Sequence, residues 1–241
     1  MAGRPVKTEG VVLRSMRFGE ADRILHLYTP ARGRVSAIAK GVRRSRSRFG
    51  GRLEQFSHVG LLLHEGRSDL LTVTGADAIR PHARLRSDGP AIDAAARACD
   101  AVSRLFETDE PHPEVFHLLL RQLALLDDGV GAVSFATHAN QLAFRLKLLL
   151  AAGLAPHLSA CASCGERDHL GSFSGAAGGV VCSACEAGAF PLGEEAHGFM
   201  VAAIGRPLAD APQASDRALR QAERAIAETV EHHAGVRLRH A

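Results

Sequence analysis

The apolar positions fall into two regimes. Up to about residue 80 they recur with a period of two, in short runs separated by turn residues, the pattern of half-buried strands. Residues 7–16 (KTEGVVLRSM) are rich in β-branched side chains and run into a turn at 17–20 (RFGE). In residues 23–29 (RILHLYT), Leu25 and Leu27 alternate with His26 and Tyr28. PARG at 30–33 is turn chemistry, and residues 34–40 (RVSAIAK) then place Val35, Ala37 and Ala39 on one face. A Gly/Ser-bounded loop is expected over 41–51, a fourth strand over 53–64 interrupted near Gly60, a turn at 65–68, and a fifth strand over 69–78. Five short strands at roughly ten-residue spacing predict a small barrel or sandwich.

Beyond Pro90 the period lengthens to three and four, giving each helix one buried stripe. The first helix is expected over 92–106, through Ala95, Ala98, Cys99, Val102 and Phe106. Pro111 and Pro113 open a second, which carries Phe116, Leu119, Leu123 and Leu126 and stops at Gly129. Ser134 is read as the N-cap of a third, through Phe135, Ala139, Leu142, Leu146 and Leu149, ended by Gly153 and Pro156. A shorter helix follows over 194–204, and Ser215 caps a last one closed by Gly235. The expected architecture is α+β: a β domain over residues 1–80, then a helical domain over 81–241 that carries an insertion at 159–190.

Charge adds a partner to this picture. The 241 residues carry a formal net charge of only +3. Residues 1–86, however, hold 17 Lys/Arg against 7 Asp/Glu, and residues 87–241 hold 12 against 19. From Arg23 to Leu53 there are nine basic residues and no acid. Solvated surfaces mix their signs because packed like charges repel. An acid-free run of this length points to a polyanionic partner, nucleic acid first. Phe18, Tyr28, Phe49 and Phe56 are the rings at hand for base stacking, some of them needed for the core.

The cysteines have the sharpest spacing. Cys161/Cys164 and Cys182/Cys185 form two C-x-x-C pairs separated by seventeen residues, within the range of four-thiolate zinc sites. Two disulfides and a redox C-x-x-C are the rival readings. An intracellular chain disfavours the first and the lack of a βαβ context the second. Four thiolates leave a metal no open position, so the site braces a loop and does no chemistry. Cys99, on an apolar helix face, reads as a core thiol, and His169 is the one histidine near enough in sequence to substitute as a ligand.

No H-E-x-x-H, P-loop or G-x-G-x-x-G is present, and Phe173 occupies the middle of GSFSG where a nucleophile elbow needs Ser. The expectation is a protein that is not an enzyme. No run reaches the ~18 apolar residues of a membrane span, and residues 1–7 lack the apolar stretch of a secretory signal, so a cytoplasmic protein is expected. Two function classes remain: a DNA- or RNA-handling protein with a basic barrel, and a zinc-stapled adaptor binding RNA or protein partners.

Several motifs also carry a resemblance. V-L-R-S at 12–15, G-E-A-D-R at 19–23, A-K-G-V-R-R at 39–44, S-R-F-G-G at 47–51, G-R-S-D-L-L-T-V at 66–73, L-A-P-H-L-S-A-C-A-S-C at 154–164 and G-G-V-V-C-S-A-C at 178–185 resemble the RecO family of bacterial recombination mediators. The resemblance implies an N-terminal five-stranded OB-fold barrel, a helical domain and a zinc-knuckle insertion. It implies binding of single- and double-stranded DNA, annealing of complementary strands, and help in loading RecA onto strands coated with the single-stranded-DNA-binding protein SSB. The partners it implies are RecR, RecF and the C-terminal tail of SSB. The expected DNA-contact residues are Arg14, Arg17, Arg23, Arg32, Arg34, Lys40, Arg43, Arg44, Arg46, Arg48 and Arg52. The expected ligands of one structural Zn²⁺ are Cys161, Cys164, Cys182 and Cys185. The last residues, 236–241, depart from the basic, hydrophobic ending associated with the family.

Overall fold

The fold was read from a computed structural model that describes residues 4–44, 47, 49–66 and 70–241. Five strands, β1 (Pro5–Phe18), β2 (Asp22–Thr29), β3 (Gly33–Ala39), β4 (His58–His64) and β5 (Leu71–Arg80), close a barrel in the order β1-β2-β3-β5-β4. All neighbours are antiparallel except β3 and β5, which run parallel and meet only at Ala37 and Ile38. The period-two positions fill the interior. Val12, Leu25, Leu27, Ala37, Val59, Leu61, Leu63 and Val73 all lie in one buried cluster.

The strand edges differ from the sequence reading in instructive ways. β1 runs on through Arg17 and Phe18, where a turn was expected, because Arg17 and Phe18 pair with Arg23 and Asp22. The fourth strand starts at His58 and not at residue 53. Residues 53–57 are turns, yet Leu53 and Phe56 are buried, and Leu53 and Phe49 pack into the barrel core. Their hydrophobicity comes from plugging the barrel. Arg67, Ser68 and Asp69, at the expected fourth turn and the start of the fifth strand, lie outside the described residues.

Five helices follow: α1 (Gly89–Leu105), α2 (Pro113–Gly129), α3 (His138–Ala151), α4 (Glu194–Gly205) and α5 (Asp216–Ala234). Asp88 caps α1 and Ser215 caps α5 through their side chains. α3 begins three residues later than an N-cap at Ser134 would place it, because the hydroxyl of Thr137 accepts the Asn140 N–H. Cys99 is buried, and burial pushes its thiol up.

Strands give way to helices near residue 85, but the chain divides into compact units elsewhere, at Met1–Ala132 and Val133–Ala241. The first two helices belong with the barrel. Tyr28 of β2 meets Phe106 edge-on at 6.3 Å, and His58 of β4 meets Phe116 of α2 at 5.7 Å. The segment after α1 is fastened to β3 by the Arg34 N–H, which donates to the Thr108 carbonyl. Gly33 permits this approach. It sits at φ +50°, and a Cβ there would come 2.4 Å from the Glu110 carbonyl oxygen.

The second unit gathers α3, α4 and α5 around Leu142, Leu146, Phe199, Met200, Leu219 and Ile226, all buried. Between α3 and α4 the chain forms a three-stranded sheet of β6 (Ser172–Ser174), β7 (Gly179–Val181) and β8 (Phe190–Pro191), in the order β7-β6-β8. No helix among the described residues is long and apolar enough to cross a membrane.

Candidate nucleic-acid interface and metal centre

The basic residues of the barrel separate into two groups once their partners are known. The first is engaged within the unit. Arg23 Nη1 donates to Ser15 Oγ at 3.2 Å and to Glu54 at 3.3 Å. Arg32 pairs with Glu65 at 2.5 Å. Arg34 donates to the backbone oxygen and hydroxyl of Ser103, at 3.2 and 3.4 Å.

The second group, Arg14, Arg17, Lys40, Arg43, Arg44 and Arg52, is exposed, although Arg43 and Arg52 also make contacts of their own. Several of these collect at one end of the barrel. Register pairs Arg17 with Arg23 and Arg23 with Ala39, which brings Lys40 to the end of the sheet that holds Arg17. The loop after β3 then folds back on the β1–β2 turn. The Arg43 N–H donates to the Ala21 carbonyl, Arg43 Nη1 to the Glu20 carbonyl at 3.0 Å, and the Gly41 N–H to the Asp22 carboxylate at 2.7 Å. Phe18 lies at the same turn and is 49% exposed. Tyr28, Phe49 and Phe56, the other candidate rings, are buried and unavailable for stacking. Arg46 and Arg48 lie outside the described residues.

His26 belongs to this surface and was not singled out from the sequence. It faces outward on β2 opposite Arg14, and its ring hydrogen-bonds the Ser36 hydroxyl at 3.0 Å. Burial, then the Arg34 and Arg14 guanidinium groups, hold its pKa below the ordinary value. Its signal in the sequence is its place on the polar face of the alternating run, between two cationic strands.

The four cysteines of the second unit converge. Their sulfurs lie within 4.8 Å of one another, and those of Cys164 and Cys182 are 3.7 Å apart. A tetrahedral thiolate site with bonds of about 2.3 Å has sulfur–sulfur edges of about 3.8 Å, whereas a disulfide requires ~2.05 Å. All four cysteines are free, so the donor set fits a metal ion and the paired-disulfide reading is excluded. His169 is not part of the cluster.

Each knuckle is shaped by local hydrogen bonds. The Gly165 N–H returns to the Cys161 carbonyl, and the Cys185 N–H to that of Cys182, at 2.9 Å each. Backbone N–H donation from Cys182 draws the Cys161 thiol down to about 6, while the neighbouring sulfurs of Cys164 and Cys182 push Cys185 up to about 12. Four thiols this close cannot all ionise unless a cation sits among them. The module is also anchored. Gly179 lies against His157, where a Cβ would come 2.3 Å from the His157 carbonyl oxygen, and His233 of α5 bonds the Gly175 carbonyl at 2.8 Å.

With a basic barrel and a four-cysteine module described, comparison with known proteins places the chain. The family description "Recombination protein O N terminal" matches residues 1–82, and "Recombination protein O C terminal" matches residues 86–241. The chain belongs to the RecO family. A DNA repair protein RecO of Anaeromyxobacter sp. (strain K) is 38% identical over 247 residues, covering 97% of this chain and 93% of its own. That of Rubrobacter xylanophilus is 40% identical, covering 91% and 88%. That of Bifidobacterium adolescentis is 42% identical, covering 73% and 72%. The resemblance seen in the sequence motifs is borne out, and so is the expected OB-like barrel followed by helices. The two RecO matches divide the chain at 82/86, where strands end, whereas its packing divides it after α2.

Proposed function

We propose that the protein is a DNA-binding recombination mediator. It binds single- and double-stranded DNA, anneals complementary strands, and helps load RecA onto SSB-coated single strands together with RecR, RecF and the SSB C-terminal tail. The observation that carries the reading is the cationic end of the barrel, to which strand register and the loop after β3 bring the exposed Arg17, Phe18, Lys40 and Arg43. Phosphate neutralisation there is independent of sequence and sensitive to salt. It also favours annealing, because screened strands approach one another more easily. Phe18 adds one stacking platform. The curated relatives, named DNA repair proteins, support a repair role.

The cysteine cluster holds one structural Zn²⁺ in this reading. Zn²⁺ suits four thiolates, and it supplies no chemistry beyond cross-linking the module, because every coordination position is filled by sulfur. Cys161 and Cys164 bind it from one knuckle, Cys182 and Cys185 from the other.

The test is a strand-annealing assay on complementary oligonucleotides, bare and SSB-coated, over a range of salt. Annealing that persists on coated strands and declines with salt is the expected result. A protein excluded by the SSB coat, or one that prefers RNA, would overturn the mediator role.

A further inference from the structure

Three side chains with hydrogen-bonding capacity stand in a row across the outer face of the barrel. Arg14 of β1 pairs in register with His26 of β2, and His26 with Ser36 of β3. Directly opposed residues share a face, and strands are spaced by about 4.8 Å, so the row is roughly 10 Å long. Arg14 is exposed and has no ion-pair partner among the described residues. Arg34 follows on the same face two residues before Ser36.

Beside this row opens a cavity of about 540 Å³, lined by Arg32, Arg34, Ser36, Leu70, Glu107 and Asp109, among others. It lies where β3 and β5 part company. Among the described residues their pairing starts at Ala37. Its charges are unevenly spread. The Arg32 guanidinium is paired with Glu65 and that of Arg34 is bonded to Ser103, while Glu107 and Asp109 in the lining are exposed. Those carboxylates repel a phosphate toward Arg14. They accept hydrogen bonds from the amino groups of an uncharged base.

We propose that the row and the cavity form a subsite for one nucleotide of a single strand, its phosphate held by Arg14, His26 and Ser36 and its unpaired base in the cavity. This rests on the DNA-binding reading above. A duplex keeps its bases paired and stacked, so it places no base in the cavity and its phosphates are not drawn onto the row. The subsite is coupled to protons. The charged groups acting on His26 are Arg34 from β3 and Arg14 from β1, both positive, and they add to burial in lowering its pKa in the free protein. A phosphate on the row reverses that field, so the strand binds with proton uptake. Affinity therefore rises as pH falls through the pKa of the complex and levels off below that of the free protein.

The experiment is fluorescence anisotropy of a labelled mixed-sequence oligonucleotide of about 20 nucleotides and of its duplex, from about pH 8 to about pH 6 at fixed salt. Single-strand binding by the wild-type protein should tighten roughly three- to tenfold over this range, and the duplex should gain less. His26→Gln and His26→Asn, checked for native circular dichroism, should lose the difference. Calorimetry in two buffers of different ionisation enthalpy should show the missing proton uptake. A pH slope shared by wild type and both variants, or an equal slope for the duplex, overturns the subsite while leaving DNA binding intact. No binding at any pH overturns both readings.

Discussion

Replacing Arg43 and Arg44 together by Gln tests the cationic end of the barrel directly. Both are exposed, and among the described residues the only hydrogen bond of either guanidinium is that of Arg43 to the Glu20 carbonyl, so the fold should be unaffected. Among the described residues, six of the expected contact residues are exposed: Arg14, Arg17, Lys40, Arg43, Arg44 and Arg52. Each phosphate neutralised on a duplex contributes about 0.9 to the slope of log K against log salt, and about 0.7 on a single strand. If all six touch duplex phosphates, the wild-type slope is roughly −5, and that of the double variant roughly −3.5. A fourfold rise in salt then weakens wild-type binding by roughly 10³-fold and the variant by roughly 10²-fold. Anisotropy titrations of one duplex at several salt concentrations measure both slopes. If the variant's slope stays within about 0.5 of the wild type's, these two arginines do not neutralise phosphates, and the barrel end is not the DNA track.

Cys182→Ser should abolish metal binding, so that elemental analysis finds about one ion per wild-type chain and none in the variant, with a lower melting temperature for the variant. A wild-type chain that contains no metal and melts unchanged after chelation would refute the site. Gly33→Ala places a methyl group against the Glu110 carbonyl in a left-handed conformation, and should cost ~1–3 kcal/mol in urea unfolding. Ser215→Ala removes the N-cap of α5 and should cost ~1 kcal/mol at neutral pH. It also removes the hydroxyl that, with the Ser215 N–H, holds the Glu195 carboxyl below its ordinary value. A depressed folded-state pKa means stabilisation that is fully present above the ordinary value of about 4.5 and lost as the pH falls from there through the folded-state pKa. The deficit of the variant relative to wild type should therefore narrow in acid unfolding experiments.

Local physics was readable from the sequence where local physics decided the outcome. Period two placed Leu25, Leu27 and Ala37 inside the barrel, and spacing alone brought four cysteines to one point. What escaped depends on partners distant in the chain. Arg32 and Arg34 look no different from Arg43 and Arg44 in the basic run, yet Glu65 and Ser103 engage them, and neither partner is near in sequence. Leu53 and Phe56 read as strand because a buried plug and a buried strand share hydrophobicity. Ser134 and Thr137 are both good caps, and only the register of α3 chooses between them. Tyr28 and Phe49 compete for two roles, and core packing won both.

The covering of the barrel by α1 and α2 bears on how the chain comes into being. When the ribosome has released only the five strands, the Tyr28 ring lacks Phe106 and the His58 ring lacks Phe116. The nascent barrel is therefore half dressed until some fifty further residues have emerged, on the order of seconds at ordinary translation rates. A fragment ending at the last strand should be sticky and poorly behaved, and one ending near residue 132 should be well behaved.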